Sequence, residues 1–129
     1  MAFRFERLEI FRQAMEFAAA TYSMSKSFPR EEVFGLTANL RRAAASVGLN
    51  IAEGAGRGSK KEFARFIDIA SGSLFEAVAG AMISERLGML SAEALTDFRE
   101  RADHLARSLT NFKKYLSGDT RYAMRDTRP

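Results

Sequence analysis

Cysteine and tryptophan are absent from this chain, and histidine occurs once, at His104. Without cysteine there are no disulfides, no thiolate metal sites and no cysteine nucleophile. With one histidine, the carboxylate-bridged di-metal centre that helical bundles often hold is short of ligands, because it needs Glu-x-x-His motifs on two helices. The residue three before His104 is Arg101, not glutamate. A nucleophile triad fails on the same shortage. No catalytic residue, metal or cofactor is therefore expected, and His104 reads as an ordinary, partly exposed side chain.

Proline is scarce as well, with only Pro29 and Pro129, so nearly the whole chain is free to be helical. Long uncharged runs are missing at the N-terminus, where Arg4, Glu6, Arg7 and Glu9 stand in place of a signal peptide's apolar stretch. No later stretch is expected to approach the length of a membrane span. These readings predict a cytoplasmic protein with no membrane partner.

What is present suits one domain. The 129 residues are 47% hydrophobic, and a chain of this size buries roughly two-thirds of the surface it exposes when unfolded. The net charge of +4 is unevenly spread. Residues 1–40 carry five basic and five acidic groups. Residues 41–65 hold Arg41, Arg42, Arg57, Lys60, Lys61 and Arg65 against Glu53 and Glu62. Residues 66–106 are acidic on balance, and residues 107–129 are basic again. A clustered basic segment points to an anionic partner.

The spacing predicts four helices. Leu8, Phe11, Met15, Ala18 and Tyr22 recur at alternating steps of three and four, one stripe of a helix over about residues 7–26. Ser27 to Arg30 break it at Pro29, and Glu31 and Glu32 suit the first turn of a second helix, at the positive end of its dipole. Its stripe is Leu40, Ala43, Val47, Ile51 and Gly54, and Gly54, Gly56 and Gly58 stop it, glycine taking a left-handed cap most readily. Ser59 and Glu62 match a capping box that starts a third helix. That helix carries Phe63, Phe66, Ile67, Ala70, Leu74, Val78 and Ala81 and ends near Gly88. Ser91 caps a fourth, with Leu95, Phe98, Ala102, Leu105, Leu109, Phe112 and Leu116 before Gly118. Four such helices on short connections pack most simply as an antiparallel, up-down-up-down four-helix bundle, an all-α fold over residues 1–118. Residues 119–129 lack periodicity and read as a loosely held basic tail.

Two features bear on function. The glycines at 54, 56 and 58 with Lys60 and Lys61 superficially resemble a phosphate-cradling loop, but no strand precedes them and the spacing is not that of a P-loop. The first amides of the third helix remain a candidate phosphate contact. The second helix also carries a polar stripe, Asn39, Arg42, Ser46, Asn50, Glu53 and Arg57, beside its apolar one. This is either a solvated face or a packing or subunit interface. Alanines and glycines make the second and third helices thin, and each mid-helix glycine costs about 1 kcal/mol, which close backbone approach would offset.

One ordered series of residues goes further: Phe28-Pro29-Arg30-Glu31-Glu32, then Phe34-Gly35-Leu36-Thr37, Arg41-Arg42-Ala43-Ala44, Asn50-Ile51-Ala52-Glu53-Gly54, and Gly56, Arg57, Ser59, Glu62 and Phe63. Ala70, Gly72, Ser73, Leu74 and Glu76, then Leu87, Gly88 and Leu90, extend it. The chain resembles the bacterial four-helix bundle proteins encoded in intervening sequences of large-subunit ribosomal RNA genes. The same fold is similar to the accessory variability determinant of diversity-generating retroelements. The resemblance implies a homopentameric barrel of bundles with a positive surface, nucleic-acid binding and, by the retroelement likeness, a reverse transcriptase as protein partner. Many members have a proline before the Asn-Ile-Ala-Glu-Gly motif, where this chain has Gly48 and Leu49.

The expected function is thus a non-enzymatic homo-oligomer that binds RNA or DNA through Arg41, Arg42, Arg57, Lys60, Lys61 and Arg65, with Asn39, Ser46, Asn50 and Glu53 serving packing or assembly. The alternative is an adaptor that docks a neighbouring enzyme. No aromatic stacking platform is evident from the sequence.

Overall fold

The computed structural model describes residues 3–119 and residue 121. Past Asp119 and Arg121, the expected basic tail lies outside the described residues. A short 3₁₀ turn, Arg4–Arg7, leads into α1 (Glu9–Met24), α2 (Leu36–Ala55), α3 (Lys60–Arg86) and α4 (Ala92–Leu116). No strand occurs among the described residues. Each helix packs against the next, and α4 returns to α1, which closes an up-down-up-down ring.

The caps fall where side-chain chemistry places them. Ser59 Oγ accepts from the Glu62 amide at 3.1 Å, and Ser91 Oγ accepts from the Ala94 amide at 3.1 Å. Gly88 and Gly118 follow α3 and α4 with φ of 79° and 95°, the left-handed geometry that glycine takes most readily. The glycines after α2 work differently. Neither Gly54, Gly56 nor Gly58 has positive φ. Gly54 lies inside α2 and is buried against Phe63 and Phe66 of α3. Its role is close approach, not a cap. Glu31 and Glu32 sit in a separate 3₁₀ turn, Arg30–Glu32, and not in the first turn of α2. There the Glu32 carboxylate accepts from the Leu36 amide at 3.2 Å. With Gly48 in place of proline, α2 runs unbroken.

The core contains the expected stripes of α2, α3 and α4, with Leu95 and Val78 partly buried at its margin. In α1 the core face is rotated. Ile10, Ala14, Phe17 and Thr21 are buried, while Met15 and Tyr22 of the expected stripe are about half exposed. Two apolar registers overlap on this helix, and the ring of partners selects the one that sets Phe17 against Phe98, with centroids 4.9 Å apart. Thr21 enters the core because its hydroxyl donates to the Phe17 carbonyl at 2.8 Å, which removes the cost of burying an unsatisfied polar group.

The thin helices lie side by side. Between α2 and α3, Gly80 meets the Leu40 side chain, while Gly72 has nothing within 4 Å of its missing Cβ. Close approach therefore accounts for Gly54, but not for Gly80, where a Cβ would make ordinary contact at 3.5 Å, nor for Gly72. Contrary to the expectation from sequence, α3 is long and apolar enough, by length and composition only, to cross a membrane, with a mean hydropathy of 1.5 over an 18-residue window. The core helix of a soluble protein also passes that test. Its apolar residues point both ways: Leu74, Ala77 and Ala81 into the core, and Phe75, Met82 and Ile83 outward.

Candidate nucleic-acid interface

The antiparallel order brings the start of α1, the α2–α3 turn and the end of α4 to one end of the bundle. Four cations there rest on aromatic rings. The guanidinium carbons of Arg57 and Arg65 lie 4.7 and 5.1 Å from the centroid of the same ring, Phe66. Lys60 Nζ is 5.8 Å from the Tyr115 ring of α4, and the Arg4 guanidinium is 5.3 Å from Phe63. The rings are held from behind, Phe63 and Tyr115 both packing on Phe112. Stacking restrains the long side chains through their flat faces, a contact that by itself uses no hydrogen-bond donor.

Carboxylates temper this end without neutralising it. Glu53 pairs with Arg57 at 3.0 Å, Glu62 with Arg65 at 3.5 Å and Asp68 with Lys113 at 2.8 Å. Among the described residues, Lys60 and Lys61 have no carboxylate at ion-pairing distance. The pairs are all solvent-exposed, where an ion pair contributes at most about 1 kcal/mol and yields readily to a polyanion.

The expected phosphate contacts therefore separate into two groups. Arg57, Lys60, Lys61 and Arg65 gather at the basic end. Arg41 and Arg42 stand on α2, 16 and 15 residues before Arg57 in the turn that follows that helix, roughly 22–24 Å away at 1.5 Å per residue. Arg41 Nε donates to Ser25 Oγ at 2.8 Å, and the guanidinium covers Tyr22 at 4.7 Å, which ties the end of α1 to α2. Arg42 bridges to Glu76 of α3 at 2.9 Å.

The polar stripe on α2 is likewise divided. Asn50 Nδ2 donates to the Ser46 carbonyl at 2.8 Å and lies 2.9 Å from Ser46 Oγ, which in turn meets Ser73 Oγ of α3 at 3.0 Å. With Arg42–Glu76 these contacts form a polar seam along the outer edge of the α2–α3 interface. Asn39 and Glu53 are exposed. His104 is exposed on α4.

Sequence reasoning missed Arg4, Phe66 and Tyr115 as members of the basic end. Arg65 next to Phe66 was a visible signal. The Lys60–Tyr115 contact joins α3 to α4 across 55 residues of sequence and had none.

No curated protein matches the chain significantly. Its fold is similar to the crystal structure of a protein of unknown function from the S23 ribosomal protein family of Bacteroides thetaiotaomicron. The TM-score is 0.73 at 18% identity, over 81% of this chain and 98% of that one. That likeness speaks for the fold alone. The profile of the 23S rRNA-intervening sequence proteins matches residues 6–111, nearly the whole bundle. By that match the chain belongs to the 23S rRNA-intervening sequence protein family.

Proposed function

We propose that this protein is a non-enzymatic, homo-oligomeric bundle that binds RNA or DNA by its basic end. The observation that carries the reading is the pair of guanidinium groups, Arg57 and Arg65, stacked on Phe66 beside Lys60 and Lys61. Cations pre-set on a ring, whose exposed carboxylate partners Glu53 and Glu62 can give way to a polyanion, are suited to phosphate oxygens. Because the aromatic rings lie beneath cations and are not open to bases, contacts would go to the backbone. Binding would then show little sequence preference and a strong salt dependence, through counterion release.

Fluorescence anisotropy of labelled structured RNA and duplex DNA at several salt concentrations tests this. The expected result is salt-sensitive binding that an Arg57, Lys60, Lys61 triple alanine variant loses. Absence of binding at low salt would reduce the basic end to a solvated surface.

A second reading, a protein-binding adaptor, is favoured by a different observation, the outward apolar side chains of α3: Phe75 is 63% and Ile83 52% exposed. Soluble monomers seldom leave such residues grouped. Assembly of identical copies, with Glu53 and the rest of the α2 polar stripe as candidate contributors, would cover part of this surface.

A further inference from the structure

Phe34 is 95% exposed, the highest exposure among the large apolar side chains of the described residues. The turn that bears it is nevertheless well held. The Glu32 amide donates to the Pro29 carbonyl at 3.0 Å, the Val33 amide to Arg30 at 3.1 Å and the Gly35 amide to Glu32 at 3.0 Å, and the Glu32 carboxylate accepts from Leu36. A fixed backbone thus holds an aromatic ring in solvent, beside a half-exposed Val33.

The opposite wall of the bundle has a matching hollow. Between α3 and α4 lies a groove of about 360 Å³, with Leu74 and Ala102 buried at its base and Phe75, Ala79 and Met82 along one side. A cavity of about 150 Å³ already accepts a benzene ring. Met82 and Phe75 offer the sulfur and ring-edge contacts that aromatic side chains favour.

We infer that Phe34 of one copy seats in the α3–α4 groove of a second copy. The inference rests on the oligomer reading above and assigns its interface. Charge supports the choice of occupant. Arg30 and Glu31 precede Phe34 by four and three residues and are exposed, and Arg99 and Asp103 line the groove and are exposed, Asp103 in an exposed pair with Arg107 that a new partner can share, so each side brings a cation and an anion for the other.

Knob and groove occupy different walls of the same molecule, so the contact is heterologous and builds a ring where its rotation closes. Both also lie away from the basic end. Phe34 precedes α2, and the groove uses the C-terminal half of α3 and the N-terminal half of α4. In a closed ring whose bundle axes run along the ring axis, the basic ends lie on one face, which multiplies phosphate contacts on one nucleic acid.

Light scattering on the size-eluted protein, with Phe34→Ser and Ala79→Glu variants, tests the inference, since both positions are exposed and circular dichroism verifies that each variant folds. The wild-type protein is expected at a multiple of 14.4 kDa and each variant at the single-chain mass. The chain has no cysteine, so oxidising a mixture of Phe34→Cys and Ala79→Cys proteins is expected to give a disulfide-linked pair that neither gives alone. An oligomer that keeps its mass in both variants and forms no such link overturns the interface while leaving the oligomer reading standing. A wild-type protein of single-chain mass overturns both.

Discussion

Gly54 of α2 lies directly beneath Phe66 of α3: a Cβ built on Gly54 would stand 2.7 Å from the Phe66 Cβ and 2.8 Å from the Phe63 ring. Phe66 in turn carries the two guanidinium groups of the basic end. The absence of one side chain therefore sets the height at which α3 begins and the position of the cations above it.

Gly54→Ala is expected to destabilise the protein. Alanine gains about 1 kcal/mol in helix propensity, but the clash is with a Cβ that is fixed to the backbone, and overpacking typically costs about 1–3 kcal/mol. Gly72→Ala has the opposite sign. With nothing within 4 Å of the new methyl group, the propensity gain of about 1 kcal/mol survives. Urea unfolding of the two variants separates them, and a stabilised Gly54→Ala protein would contradict the close packing described.

The two serine caps make a smaller prediction. Ser59→Ala and Ser91→Ala each remove the acceptor of one amide hydrogen bond, at about 1 kcal/mol apiece. The sites lie at opposite ends of the bundle, so the losses should add. A double variant that loses far more would reveal coupling that the structure does not contain.

Arg41 and Arg42 are adjacent in sequence yet differ in what they hold. Arg41→Ala gives up the bond to buried Ser25 and the Tyr22 stack, about 1–2 kcal/mol together. Arg42→Ala breaks one exposed ion pair and should cost less than about 1 kcal/mol. Thermal melts of both variants measure the difference directly.

The same separation bears on binding. Removal of Arg57, Lys60 and Lys61 should flatten the dependence of log K on log salt by roughly one unit for each phosphate that is no longer neutralised. Arg41→Ala and Arg42→Ala should leave that slope unchanged. If all five contribute equally in the anisotropy titration, the ligand spans the length of α2 and the site is not confined to one end.

Core truncation tests the ring closure. Leu74 and Leu109 are fully buried, and Leu→Ala at such positions costs about 2–5 kcal/mol. An exposed residue of similar size, Leu49 at 68% exposure, should change by less than about 1 kcal/mol when truncated, as surface positions do.

Much of the fold was legible because it rests on local rules. Heptad spacing placed the core of α4 from Phe98 to Leu116, with Leu95 at its margin, Ser59 and Ser91 announced their helices, and Gly88 and Gly118 marked the ends. Glycine identity alone misled at Gly54, because a cap and a close approach use the same residue. The membrane-like composition of α3 was not legible as an uncharged run, since Glu76 divides the apolar stretch between Asp68 and Glu85. The site was legible only in part. Four of its cations are near neighbours in sequence, while their aromatic supports come from two helices.

By itself the sequence determined an all-helical chain, its four helices, three of the four core stripes and the clustering of basic residues between 41 and 65, all properties written at spacings of a few residues. Only the tertiary structure decided which face of α1 turns inward, that Arg41 and Arg42 serve the α1–α2 and α2–α3 contacts, and that Lys60 meets Tyr115. Those outcomes depend on contacts between residues far apart in the chain, where a side chain's role is set by the partner that packing brings to it.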